Sequence, residues 1–179
     1  MKIYTRTGDR GETGLFNGTR VPKSDARVDA YGEVDELNAV LGVVRAASVD
    51  AEIDMVLVQL QRDLFALGAR LADPGARIAG RVTKASLSQD EVARLETWID
   101  RFEEELPPLR RFILPSGTSA GAALHLARTV CRRAERRIVG LGPDAVEPVV
   151  VTYVNRLSDL LFVVARSVNR RAGVAETEW

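Results

Sequence analysis

An all-α bundle of about five helices, preceded by a non-helical arm, is the fold this chain predicts. Three features point to it. Long stretches carry apolar residues at three- and four-residue spacing, Gly, Pro and capping residues punctuate those stretches, and no sustained alternating strand pattern, internal repeat or low-complexity tract occurs. The 179 residues, 46% of them hydrophobic, suffice for one domain with a sizeable core. The chain therefore reads as a single domain over 1–179, with the arm over 1–24 and the bundle over 25–172.

The arm is centred on Thr5-Arg6-Thr7-Gly8-Asp9-Arg10-Gly11-Glu12-Thr13-Gly14-Leu15-Phe16, which has too few apolar residues for a buried strand. Gly8, Gly11 and Gly14 can take φ > 0 and let backbone N–H groups converge on an anion, and Thr5, Thr7 and Thr13 add hydroxyl donors. Composition alone leaves two readings open, a phosphate cradle or a mobile polar terminus.

Past the turn-prone Asn17-Gly18 and Val21-Pro22-Lys23-Ser24-Asp25, a first helix is predicted from about Val28 to Ala47. Ala30, Val34, Leu37, Leu41 and Val44 share its apolar face, and Asp35, Asn38 and Gly42 lie on another side. Asp35 there is either a solvated carboxylate or a group that meets a partner. A second helix is predicted over 51–71, with Met55, Leu57, Val58, Leu60, Leu64, Leu67 and Leu71 as a buried stripe and Asp73-Pro74-Gly75 as its stop. The segment 76–87 reads as the longest loop. Ser88-Gln89-Asp90-Glu91 is a capping box opening a third helix, with Leu95, Trp98, Ile99, Phe102 and Leu106 facing the core and Pro107-Pro108 ending it. Phe112-Ile113-Leu114-Pro115-Ser116-Gly117 is too short for a helix and reads as an access loop, in which Phe112 either caps the bundle or meets a flat apolar ligand. Thr118-Ser119 caps a fourth helix running to about Leu141, and a fifth spans about Pro148 to Ala172.

The fourth helix concentrates charge on two faces. Arg128, Arg132 and Glu135 fall in one sector beside an apolar stripe of Ala127, Cys131, Ala134 and Ile138, where guanidinium groups at the edge of a core suit carboxylate or phosphate. Arg133 and Arg137 point nearly opposite and read as solvated. On the fifth helix Asn155, Asp159, Phe162 and Arg166 share a face opposite Tyr153, Leu157, Leu160, Leu161, Val164 and Val168. That polar face is either the wall of a site, with Asp159 pairing an arginine of the fourth helix or of a second subunit, or solvent-facing.

Composition excludes several classes. Lys+Arg and Asp+Glu balance at 25 each, so no global field attracts nucleic acid or an anionic membrane. One cysteine, Cys131, precludes an internal disulfide, and one histidine, His125, leaves no His/Cys cluster for direct metal ligation. No apolar run is read as reaching membrane-spanning length, and Met1 leads into Lys2-Ile3-Tyr4 without a secretory apolar region, so a cytoplasmic protein is expected. The P-loop, Rossmann and Gly-x-Ser-x-Gly patterns are missing. An anion-binding arm, an arginine edge and an aromatic loop remain, a set better suited to stabilising a polyphosphate leaving group than to acid–base chemistry.

Five ordered motifs carry a resemblance over nearly the whole chain: Thr5 to Thr13 with Pro22-Lys23-Ser24-Asp25; Tyr31-Gly32-Glu33-Val34-Asp35-Glu36-Leu37-Asn38; Phe112-Ile113-Leu114-Pro115; Cys131-Arg132-Arg133-Ala134-Glu135-Arg136; and Asn155-Arg156-Leu157-Ser158-Asp159. In these the sequence resembles the PduO-type ATP:cob(I)alamin adenosyltransferases, which make adenosylcobalamin. The resemblance implies a ferritin-like five-helix bundle that forms a homotrimer, with ATP between neighbouring subunits and the corrinoid beside it. It implies that Thr5, Arg6, Thr7, Gly8, Thr13, Gly14 and Lys23 bind ATP from one subunit, and that Arg132, Glu135, Arg136 and Asn155 complete the site from the other. It further implies that Arg128 pairs with Asp35 across subunits, that Phe112 occludes the lower axial face of the corrinoid, and that Asp159 helps shape the site. Ser116 departs from the glycine frequent at its position in that family.

The implied chemistry is attack of cob(I)alamin cobalt on C5′ of ATP with loss of triphosphate. Arg132 is the expected catalytic side chain and Mg²⁺ is held through the ATP phosphates. A cob(II)alamin reductase and an adenosylcobalamin-dependent enzyme are the implied protein partners. The same pocket also fits a non-catalytic trimeric carrier of adenosylcobalamin or an ATP sensor, and an interaction-only bundle is the remaining reading.

Overall fold

Capping residues fix where the helices begin. A computed structural model of the chain describes residues 3–47, 49–75 and 87–179. Helix α1 spans Ala26–Ala46, with the Asp25 carboxylate accepting from Arg27 N–H at 2.8 Å. Helix α2 spans Ala51–Leu71 behind Asp50, which accepts from Ile53 N–H at 3.1 Å. Helix α3 spans Gln89–Glu103 and opens on the Ser88/Glu91 capping box. Helix α4 spans Ser119–Val139, with the Thr118 hydroxyl accepting from Gly121 N–H at 3.0 Å. Helix α5 spans Pro148–Arg171 and begins with Pro at a position whose N–H a helix leaves unused. Each cap satisfies an end donor that would otherwise face the core or water unpaired. The expected loop over 76–87 lies outside the described residues except for Leu87, which is buried.

The helices pack in the order α2, α1, α4, α5, α3, so α4 and α5 are the central pair. Ala30, Val34, Leu37, Leu41 and Val44 are all buried, as their spacing requires. The stripe of α2 differs from expectation: Ile53, Val56, Leu57, Leu60, Leu64, Leu67 and Leu71 face inward, while Met55 is exposed and Val58 only half-buried. Met55 stands about 200° around the helix from Ile53, so one stripe cannot hold both. On α3, Val92, Leu95 and Phe102 are buried and Trp98 and Ile99 pack partly against the core, as does Leu106 just past the helix.

Helix α5 is long and apolar enough to span a membrane by length and composition, contrary to the expectation that no run reaches that length. More than half of its most apolar window, 56%, is buried inside the bundle. It is the core helix, packed between α4 and α3.

Polar groups join the layers at fixed points. Asp63 of α2, 7% exposed, accepts from Gln59 at 2.9 Å, from Arg94 of α3 at 2.6 Å and from the Tyr153 hydroxyl of α5 at 2.9 Å. Burial and the adjoining Asp63 push the Tyr153 phenol well above its usual range, which keeps it a donor. Arg171, at the end of α5, donates to Asp50 at 2.8 Å, Glu52 at 2.7 Å and Glu105 at 2.6 Å. Arg133 and Arg137, expected to be solvated, instead tie α4 to α1: Arg133 binds Glu33 and Glu36, and Arg137 meets Asp29 at 3.0 Å. Helix α1 lies against the face of α4 that the sequence had assigned to water.

The arm contains a short antiparallel hairpin, β1 (Glu12–Gly14) with β2 (Arg20–Pro22), where no strand was expected. Three residues per strand are too few for alternation to register in sequence. Gly18, at φ 87°, closes the turn by donating to Leu15 O at 2.9 Å. Phe16 N–H donates to Ala72 O at 3.0 Å, which fastens the hairpin to the end of α2.

Candidate functional site

The arm's outer half is a loop of exposed donors folded over one cation. Thr5 and Thr7 share a hydroxyl hydrogen bond of 2.8 Å, and Arg20 donates to Thr7 O at 2.7 Å. Gly11 N–H donates to Gly8 O at 3.1 Å, and Lys23 N–H to Gly11 O at 2.8 Å. A Cβ placed on Gly8 would stand 3.4 Å from Lys23 Nζ, which puts the ammonium beside this part of the loop. Of the three glycines expected to turn left-handed only Gly11 does, at φ 78°, and the other positive φ in this loop belongs to Arg6 at 61°. A non-glycine in that region stores about 1–3 kcal/mol of strain, the kind of cost concentrated at ligand clamps. Thr13 sits in β1 opposite Val21, and Gly14 opposite Arg20.

The second set of polar groups lines α4 and α5. Asn155 Nδ2 donates to Glu135 Oε1 at 3.0 Å, which joins the two helices at their exposed edge. Arg136 donates to Arg132 O at 3.0 Å. The guanidinium of Arg132 is exposed and has no hydrogen-bond or ion-pair partner among the described residues. Arg128 lies with its guanidinium carbon 5.9 Å from the Phe162 ring, and its Nε is buried without a partner. Asp159 pairs with Arg156 of its own helix at 3.4 Å, and not with an arginine of α4. The i,i+3 spacing on one helix puts those two side chains in reach. Arg166, read as part of the polar face, is buried.

Other candidate reactive groups are quiet. Burial first, and then Glu135, pushes the Cys131 thiol far above its usual range, so it is no nucleophile. Burial, with Arg128 second, pushes the His125 imidazole down and keeps it neutral. No group of three metal-ligating side chains occurs among the described residues.

Phe112 is 78% exposed, within the connection 104–118 that joins α3 to α4. On the far side of the bundle a cleft of ≈ 420 Å³ opens between α1, α2 and the hairpin, lined in part by Phe16, Tyr31, Asp35, Asn38 and Phe65. Asp35 therefore faces this cleft while Arg128 stands on the α4 edge, and the two do not pair within one chain. No hydrogen bond or ion pair among the described residues links the arm's Thr5–Gly14 to Arg132, Glu135, Arg136 or Asn155. Sequence reading missed Asn169, Glu176 and the hairpin. The apolar context of α5 hid Asn169, and Glu176 lies in a tail without periodicity.

The helical bundle carries a donor-rich arm beside the end of α2 and, on α4 and α5, a polar edge in which the Arg132 guanidinium has no partner among the described residues. A cobalamin adenosyltransferase family model matches residues 3–168. A cobalamin adenosyltransferase of Cupriavidus metallidurans is 43% identical over 180 aligned positions, covering 99% of this chain and 94% of that protein. A corrinoid adenosyltransferase of Bacillus subtilis is 41% identical, covering 100% and 92%. In three dimensions the chain is similar to a variant PduO-type ATP:corrinoid adenosyltransferase from Lactobacillus reuteri solved with cobalamin and ATP, with a TM-score of 0.90 and 36% identity over 99% of both chains. The chain belongs to the cobalamin adenosyltransferase family.

Proposed function

We propose that this enzyme transfers the 5′-deoxyadenosyl group of ATP to the cobalt of cob(I)alamin, releasing triphosphate, at sites completed between copies of the chain in a homotrimer. The observation that carries the shared site is the separation of its halves. The arm with Lys23 hangs from the α2 end of the molecule, while Arg132, Glu135, Arg136 and Asn155 line α4 and α5. Arg128, which has no carboxylate partner among the described residues, and the cleft-facing Asp35 support a second contact across the same junction.

In this reading Thr5, Arg6, Thr7, Gly8, Thr13, Gly14 and Lys23 cradle the phosphates. The adjoining copy's Arg132 and Arg136 neutralise the triphosphate as it leaves, and the Glu135–Asn155 pair fixes the nucleoside. Mg²⁺ enters with the nucleotide, coordinated by its phosphate oxygens. The new bond is cobalt to C5′ and the broken one C5′ to oxygen, so the protein's task is alignment and charge stabilisation. Phe112 lies against the lower axial face of the corrinoid, and Asp159 shapes the pocket edge. A cytoplasmic location follows from the supply of ATP and reduced corrinoid.

The test is anaerobic turnover of chemically reduced cobalamin with ATP, reading loss of cob(I)alamin absorbance and release of triphosphate. Equal amounts of adenosylcobalamin and triphosphate are expected. Binding of both ligands without triphosphate release would identify a carrier instead.

A further inference from the structure

Phe112 sits on a loop that has little packing of its own, yet both flanks of that loop are fastened to one short stretch of α5. On the C-terminal flank, Asn169, 5% exposed, accepts from Thr118 N–H at 2.9 Å and from the Thr118 hydroxyl at 3.1 Å. The same side chain donates to Ser116 O at 2.9 Å. The space is closed around it: a Cβ on Gly117 or on Gly121 would stand within 2.2 Å or 2.1 Å of the Asn169 amide. Gly117 also needs its φ of 116°. Asn169 thus fixes the turn between Phe112 and α4.

The other fastening runs through the tail. Gly173, at φ 70°, ends α5 in a Schellman arrangement, with Val174 N–H donating to Asn169 O at 2.9 Å and Gly173 N–H to Arg170 O at 2.9 Å. The tail then returns along α5, where Glu176 meets Arg166, itself 5% exposed, at 2.5 Å. Arg166 also donates to Pro107 O at 2.9 Å, just ahead of the Phe112 loop. Past this ion pair the tail adds an antiparallel bridge: Leu114 N–H donates to Thr177 O at 2.8 Å and Trp179 N–H to Phe112 O at 2.9 Å. Every residue from Arg170 to Trp179 except Glu176 is exposed, so the Arg166–Glu176 pair, an exposed Arg111–Glu178 pair at 3.3 Å and the backbone bonds, not apolar packing, seat the tail.

We infer that Arg166 and Asn169, one turn apart on α5, are positioning residues that set the place of Phe112, Arg166 acting through Glu176 and the 177–179 bridge and Asn169 through the Ser116–Thr118 turn. The inference rests on the reading of Phe112 as the residue against the corrinoid. Neither positioning residue contacts substrate. Their effect on turnover passes through Phe112, and ATP binding at the arm is untouched.

Trp179→Pro removes the N–H given to Phe112 O, and Trp179→Ala keeps it while removing the exposed ring. Glu176→Gln removes the carboxylate charge that faces Arg166 with little change of shape. Loss of one net hydrogen bond in positioning corresponds to about a fivefold fall in kcat for Trp179→Pro and for Glu176→Gln. KM for ATP is expected unchanged, Trp179→Ala near wild type, and hydrogen exchange at Leu114 faster in both impaired variants. Combined with Phe112→Ala, neither substitution should cost anything further, because the residue being positioned is gone.

Full additivity with Phe112→Ala, or normal kcat in Trp179→Pro and Glu176→Gln with Leu114 exchange accelerated, overturns the positioning role while leaving Phe112 in place. Unchanged kcat in Phe112→Ala alone overturns the reading of Phe112 itself. Should Glu176→Gln fail to fold, Trp179→Pro carries the same test without disturbing the ion pair.

Discussion

Arg132 and Arg133 are neighbours in sequence with opposite circumstances, and substituting each by alanine separates chemistry from architecture. The Arg132 guanidinium is exposed and unpaired among the described residues, so its removal takes nothing from the fold and stability should change by less than about 0.5 kcal/mol. In turnover it is expected to cost far more. A single preorganised donor to developing charge is worth about 2.7–4 kcal/mol, or about a hundred- to thousandfold in kcat. Arg133 binds Glu33 and Glu36 of α1 and faces away from the proposed site. Its removal is expected to lower Tm by up to about 3 °C, a partly exposed ion pair in a chain of this length, while kcat stays within about twofold. The assay is anaerobic conversion of reduced cobalamin at saturating ATP, with Tm and the oligomeric state measured on the same samples. Near-normal turnover in Arg132→Ala, with the assembly intact, would refute its role in stabilising the leaving triphosphate. A Tm loss larger than that of Arg133→Ala would show that Arg132 is structural.

Four further outcomes are expected. Tyr153→Phe deletes one of three donors to buried Asp63 without opening a cavity, and should cost about 1–2 kcal/mol in urea unfolding with kcat retained. Arg171→Met should destabilise at neutral pH, and the deficit should shrink in acid. Hydrogen bonding from Arg171 holds the Glu105 carboxyl below its ordinary value, so that contribution is complete above 4.5 and is lost as pH falls through the depressed folded value; Tm of both proteins against pH checks it. Gly121→Ala drives a Cβ to 2.1 Å from the Asn169 amide and should lower Tm and kcat together, whereas Gly32→Ala, on an open face of α1, should not lower Tm. Hydrogen exchange across Thr5–Gly14 should slow on adding ATP; equal protection with and without nucleotide would count against the arm as the phosphate cradle.

The helices were legible because each is specified locally. Ser88 and Thr118 announce the starts of α3 and α4, and spacing alone identifies Ala30, Val34, Leu37, Leu41 and Val44 as core. Errors arose where a partner elsewhere in the chain decides the outcome. Arg133 and Arg137 look solvated on a helical wheel, yet α1 brings Glu33, Glu36 and Asp29 to them. The same limit governs the site. Thr5, Lys23 and Arg132 declare anion affinity by residue type, but a wheel cannot say that the arm hangs at the α2 end of the molecule, away from α4. That separation changes the interpretation of the unpaired groups. The Arg132 guanidinium has no acceptor among the described residues and the donors of the arm are exposed, so both are open to a neighbouring copy. The shared site proposed for this family member is the arrangement that satisfies Arg128, Asp35, Arg132 and the arm with a single contact between copies.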